Sequence, residues 1–191
     1  MRKLFFVLTM LILSEFSFGQ AINDNAVVPI SVTLNSILRL TVTSGGNIQF
    51  VVNTLKQYTD GIGAPTQYMT TFRVSSSRKY RVKMIPEIAT GFTGLETGNA
   101  SLFKNQNIGY TLGGAGSGAF TPAAGTLIAL ADASATIIDN PAGAGNQIYT
   151  ITWELNTLAV QGLAGSLPSL LALSLPSDVY VQNIFLTLGT Y

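Results

Sequence analysis

The chain has 191 residues, with ten Lys or Arg against nine Asp or Glu, no histidine and no cysteine. Without imidazole, the usual Ser-His-Asp arrangement and the commonest metal ligand are excluded. Without thiols there is no disulfide, thiolate metal site or lipidated cysteine anchor. Charged residues make up only 10% of the chain, against about 25% in ordinary soluble domains, and a surface so poor in charge favours association.

The N-terminal residues read as a secretory signal peptide over 1–19. Arg2 and Lys3 form the positive start, Leu4 to Leu13 the apolar run, and Ser17 and Gly19 the small residues of a cleavage site. Ten apolar residues would span about half of a ~30 Å hydrocarbon core, so a membrane anchor is the poorer reading. Removal of 1–19 takes Arg2, Lys3 and Glu15 and leaves eight bases against eight acids. Zero net charge argues against a nucleic-acid or anionic-membrane partner. The expected location is secreted or cell-surface.

Residues 20–35 form an N-terminal extension. Within it Val28, Ile30, Val32 and Leu34 alternate with Pro29, Ser31 and Thr33, which predicts a strand with one apolar face. Pro29 cannot donate to a ladder, so this strand is expected to sit at an edge or to begin irregularly. A domain over 36–191 follows. Leu38, Leu40 and Val42 predict a second strand, Ser44 to Asn47 a turn, and Ile48 to Asn53 a third strand. Gly61, Gly63 and Pro65 mark a loop with at most one helical turn.

Gln67 to Ser75 and Lys79 to Ile85 predict a hairpin, with Tyr80, Val82 and Met84 inward and Lys79, Arg81 and Lys83 in solvent. Residues 87–126 are rich in Gly, Ala, Ser and Thr, with one clear strand at Asn107 to Leu112. The run Gly113 to Gly118 lacks the Lys-Ser/Thr pair of a phosphate loop. Short strands at Thr126 to Leu130 and Ala135 to Ile138 come next. Gln147 to Leu155 puts Tyr149, Ile151, Trp153 and Leu155 on one face. Ala and Leu suggest a short helix within 158–174, which Gly162, Gly165 and Pro168 oppose. Val179 to Leu188 predicts a last strand. Eight to ten short strands without a long helix imply an all-β fold, a single antiparallel β-sandwich of Ig-like or pilin-like type.

Few groups here carry chemistry. Glu87, Glu96, Asp132, Asp139 and Glu154 are the carboxylates that a glycoside hydrolase would need in facing pairs, and each falls in a loop or on an outward face. Asn23 to Asn25 and Asp132 to Asn140 hold oxygens suited to calcium, without EF-hand spacing. Trp153 shares a face with Ile151 and Leu155, which favours core packing over sugar stacking. Asn99-Ala100-Ser101 matches a glycosylation sequon. No catalytic residue, cofactor or metal is expected.

The alternating lead NAVVPISVTLNSILRLTVTSGG and the end SDVYVQNIFLTLGTY resemble bacterial pilin-type and spore-coat-U-like β-sandwiches. Tyr180, Ile184, Leu186 and Leu188 carry the likeness to their closing strand. The cysteine pair common in such subunits is missing, and a cysteine-free filament subunit of the Bacteroidetes type is the nearest variant. The resemblance implies head-to-tail assembly, in which an extended terminal segment of one subunit completes the sheet of the next. Val28, Ile30, Val32 and Leu34 are the candidate assembly strand, and the alternative is that they form the first strand of their own domain. Function divides in the same way: a structural subunit of a surface filament, or a monomeric adhesive or glycan-binding module using the loops at 87–126 and 139–146.

Overall fold

The computed structural model describes residues 29–63, 66–98, 102–163 and 167–191. The expected signal peptide, Val28 and the sequon at 99–101 lie outside these residues. The chain divides after Leu34. Residues 29–34 carry neither strand nor helix and are exposed throughout.

From Asn35 onward the fold is mostly β. Its elements in chain order are β1 (Leu38–Ser44), α1 (Leu55–Asp60), β2 (Ile62–Gly63), β3 (Met69–Ser76), β4 (Tyr80–Pro86) and β5 (Thr93–Gly94). After a 3-10 turn at Asn105–Asn107 come β6 (Ile108–Gly114), β7 (Ala119–Phe120), β8 (Ile128–Ala129), β9 (Ala135–Asn140) and β10 (Ala144–Leu155). Last come α2 (Leu158–Gln161), α3 (Leu170–Leu173), β11 (Tyr180–Val181) and β12 (Ile184–Thr190). One sheet runs β1-β3-β10-β6-β8, with β2 on the end of β10. A second runs β12-β4-β9-β7, and β5 pairs with β11. Every pairing is antiparallel. The expected all-β, sandwich-like class is what the chain adopts.

The expected hairpin between 67–75 and 79–85 is not formed. The two strands form as read, with Tyr80, Val82 and Met84 buried, yet β3 lies in the first sheet and β4 in the second. A two-residue hairpin turn needs residues that accept positive φ, such as Asn-Gly, and Ser76-Ser77-Arg78-Lys79 has none. The chain crosses between sheets there instead. It crosses back at 141–143, since β9 is in the second sheet and β10 in the first. The crossings nest, with Ser76 opposite Ala144 and Tyr80 opposite Asn140. Gly143 makes this fit, since a Cβ there would stand 2.6 Å from the Ser77 carbonyl carbon.

The core is what the two sheets turn toward each other. Phe72 and Val74 from β3 and Tyr149 and Ile151 from β10 meet Tyr80, Val82 and Met84 from β4 and Ile138 from β9, all 0–1% exposed. Ile137 is also buried. Its neighbours Ile138 and Thr136 oppose Val82 and Lys83, so Ile137 is the extra residue of a bulge, and a bulge turns consecutive side chains inward. At the centre the Tyr80 and Tyr149 hydroxyls lie 2.7 Å apart, and the Asn140 amide donates to Tyr80 at 3.1 Å. Burial first, then the Tyr149 contact, raises the Tyr80 pKa above the ordinary phenol value.

Two further readings change. Ile48 to Asn53 has the predicted strand pattern but belongs to no sheet, and Val179 to Leu188 is broken into β11 and β12. At the break, the Gln182 amide donates to the carbonyls of Ile88 (2.6 Å) and Gly91 (3.2 Å) and to Asn105 Oδ1 (2.8 Å). These bonds fix the kink.

Tyr80→Phe is expected to lower stability by about 1–3 kcal/mol, because it strands the Tyr149 hydroxyl in the core and leaves the Asn140 amide with Ser117 Oγ as its acceptor. In a double-mutant cycle with Tyr149→Phe, the combined loss should be smaller than the sum. Urea midpoints at constant m value check this.

Candidate functional site

The two sheets are closed unequally along one side. β1 pairs only with β3, and β12 only with β4, among the described residues. Each therefore presents a free backbone edge, the feature that adds strands. Both edges start from the 76–80 corner, where Leu38 opposes Ser76 and Thr190 opposes Tyr80. The corner is firmly tied. Ile37 and Ser77 exchange bonds, N–H to Oγ at 2.8 Å and N–H to carbonyl at 2.9 Å. The Tyr191 ring covers the Arg81 guanidinium at 4.3 Å and Lys79 Nζ at 5.3 Å. Its hydroxyl donates to Asp139, whose other oxygen holds Arg81 at 2.7 Å. The Tyr191 hydroxyl, then Arg81, holds the Asp139 carboxyl below its ordinary pKa.

An apolar groove of about 970 Å³ lies along this side. One wall is Leu40 and Val42 of β1 continued by residues 45–52. The other is residues 175–186, with β11 and the start of β12. Its floor is core, including Ile151, Trp153, Phe103 and Leu170. Val42, Val179, Val181 and Phe185 stand exposed on the two walls.

Each wall is held by its own polar contacts. At Gly45 the chain turns with φ +64, and a Cβ there would sit 2.0 Å from the Met69 carbonyl oxygen. The Thr70 hydroxyl donates to Gly45 O at 2.7 Å. At the other end of the segment, Thr54 caps α1, and Gln57 Oε1 accepts the N–H groups of Asn53 (2.7 Å) and Thr54 (3.0 Å). Between these ends Phe50 packs on Tyr68, ring centroids 4.3 Å apart. On the far wall, Asp178 accepts the N–H of Glu96 at 3.2 Å and the N–H and hydroxyl of Thr97 at 2.9 and 2.7 Å. These bonds, the Thr97 N–H foremost, hold its pKa down at about 2.

The structure places the sequence-selected residues as follows. Ile184, Leu186 and Leu188 point inward from β12 as half-buried side chains, and the first two line the groove. Tyr180 also lines it, edge-on to Phe103 at 5.5 Å, with its hydroxyl on the Pro176 carbonyl at 2.9 Å. Ile30, Val32 and Leu34 are 86%, 76% and 88% exposed, values at which large aliphatic side chains contribute no burial of their own. Sequence reading missed the wall at 45–52, Asp178 and Gln182. The Gln182-Asn183 amide pair interrupting an apolar run was the available signal for the last.

Four of the five carboxylates serve separate structural contacts. Glu87 accepts from Asn183, Asp132 from Asn105 and Gln106, Asp139 from Arg81 and Tyr191, and Glu154 from Thr157. Trp153 is 7% exposed and its indole N–H donates to Thr70 at 2.9 Å, which places it in the core rather than on a sugar-stacking surface. No protein-family model matches the chain, and no curated protein matches it.

The Asp178 contacts define an acid-sensitive latch. Its pKa in the fold is below the ordinary 3.8, so its stabilising contribution is complete above the ordinary carboxylate range and is lost as pH falls through about 2. Urea midpoints measured between pH 5 and pH 2 should fall more steeply for the natural chain than for Asp178→Asn, and the two curves should converge at the acid end.

Proposed function

We propose that this chain is a structural subunit of an extracellular, fimbria-like surface filament, joined by β-strand complementation. The observation that carries the reading is a mismatch within one molecule. An apolar groove stands open along one side of the sandwich, and a segment with alternating large aliphatic side chains stands exposed. Each is half of a strand-addition interface.

The energetics support it. Val28, Ile30, Val32 and Leu34, buried in the groove of a second copy, would gain about 1.5–3 kcal/mol each. That gross gain of about 6–12 kcal/mol is reduced by the ordering of the segment and by lost rigid-body freedom, while backbone pairing sets the register. The donor and acceptor surfaces differ, so the contact is heterologous and extends as a filament unless its rotation closes a ring. The signal-peptide pattern at 1–19 and the sparse charge fit an exported protein that assembles.

Ile30→Asp with Val32→Asp should leave the fold intact, since both positions are exposed, and should raise the concentration needed for assembly by about 10²–10⁴-fold. Negative-stain microscopy and size-exclusion chromatography read this. A natural mature chain that stays monomeric at every concentration would refute the subunit reading, and saturable glycan binding by such a monomer would favour an adhesive module.

A further inference from the structure

We propose that residues 47–53 are a latent strand, whose ladder forms only when residues 28–34 of a second copy lie between it and Val179–Leu186. The proposal rests on the complementation reading above and adds which backbone completes the second wall.

Residues 48–53 carry the side-chain period of a strand and have no ladder partner among the described residues. Ile48, Phe50 and Val52 are half-buried against the core, while Gln49, Val51 and Asn53 are exposed. That is the period of two expected of a strand with one face on a core. Yet among the described residues Gly46 to Val52 make no backbone hydrogen bond. Backbone N–H and C=O groups are obligatory bonding groups, and none of the described residues supplies their partner. Thr70 and Gly45 fix the segment before it, and the Gln57 cap fixes it after, so it is held along the groove with its polar edge unpaired among the described residues.

The position of the groove excludes β1 itself as the pairing wall along its whole length. β1 and β12 bring Cα atoms within 8 Å of each other. A strand inserted between two others needs twice the ladder spacing, about 9.6 Å, so no third strand fits where they converge. Farther from the corner, the wall that continues β1 is 45–52, and the wall facing it is 175–186. β11 and β12 use one edge on β5 and β4, leaving the other toward the groove.

The second copy's segment suits this slot by length and by charge. Residues 28–34 are as long as 47–53, and from Ala26 to Leu38 there is no charged side chain, so their burial strips no ion of water. With Val28, Ile30, Val32 and Leu34 turned to the floor, Ser31 and Thr33 face outward beside Gln49 and Val51 on one side and Val181 and Phe185 on the other.

The natural chain has no cysteine, which permits a direct test. Full-length chains carrying Ser31→Cys or Thr33→Cys are mixed with chains carrying one cysteine at Gln49, Val51, Val181 or Phe185, then oxidised and resolved on non-reducing gels. A disulfide needs Cα atoms about 4.4–6.8 Å apart, which adjacent strands meet and next-but-one strands do not. Cross-linked dimer is expected as the major product for at least one pair on each wall, falling more than about tenfold when the donor also carries Ile30→Asp and Val32→Asp. Cross-links to Val181 or Phe185 with none to Gln49 or Val51 would overturn the latent strand and leave complementation standing. Cross-links confined to the 47–53 wall would overturn the two-sided placement. None to either wall would overturn both readings.

Discussion

Two sheets face each other here with only side chains between them, and everything else follows from how those side chains interlock. Phe72, Val74, Tyr149 and Ile151 on one side and Tyr80, Val82, Met84 and Ile138 on the other are almost wholly excluded from water. No disulfide shares the work. Large aliphatic and aromatic side chains contribute about 1.5–3 kcal/mol each on burial, so this layer is sufficient if it is continuous. The nested crossings at 77–79 and 141–143 keep it continuous, because the middle pairs of both sheets, β3 with β10 and β4 with β9, are made from the same two lengths of chain folded over at one corner. The Tyr80–Tyr149 bond adds a polar link across the layer and leaves neither hydroxyl without a partner.

The same corner explains why the sandwich is shut at one end and open at the other. β1 and β12 both begin their ladders there, fastened by Ser77, Arg81, Asp139 and Tyr191. Farther away each edge answers to different neighbours. β1 gives way to the turn at Gly45, and β12 to the kink at Gln182. The groove is the space left between two edges that diverge, and the polar contacts of Thr70, Gln57, Asp178 and Gln182 anchor its walls at particular points.

Alternation made the inward face of nearly every long strand legible. Tyr80, Val82 and Met84, and likewise Tyr149, Ile151, Trp153 and Leu155, are buried as their spacing requires. What alternation cannot report is the partner. The β3–β4 connection has the same apolar period whether it turns within a sheet or crosses between sheets, and the absence of an Asn-Gly type turn was the only discriminating signal. Ile48, Phe50 and Val52 likewise show that a strand pattern records which side faces the core, without recording whether a neighbour supplies hydrogen bonds. The groove was beyond sequence reading for a related reason. It is an empty volume produced by two edges about 140 residues apart in the chain, and no local residue pattern encodes a gap.

The register between β4 and β12 has a kinetic side. Ile184 meets Pro86 and Thr190 meets Tyr80, so this ladder joins positions roughly a hundred residues apart. Long-range pairings of this kind give a high contact order, and all-β chains with high contact order fold in about milliseconds to seconds, far slower than helical bundles. One wall of the groove thus comes from a stretch of polypeptide synthesised about a hundred residues after β3 and β4. During that interval β4 has a margin without its partner strand, and an unpaired strand margin is open to pairing with another chain. Timing, as much as shape, therefore separates correct closure of each molecule from premature pairing between molecules.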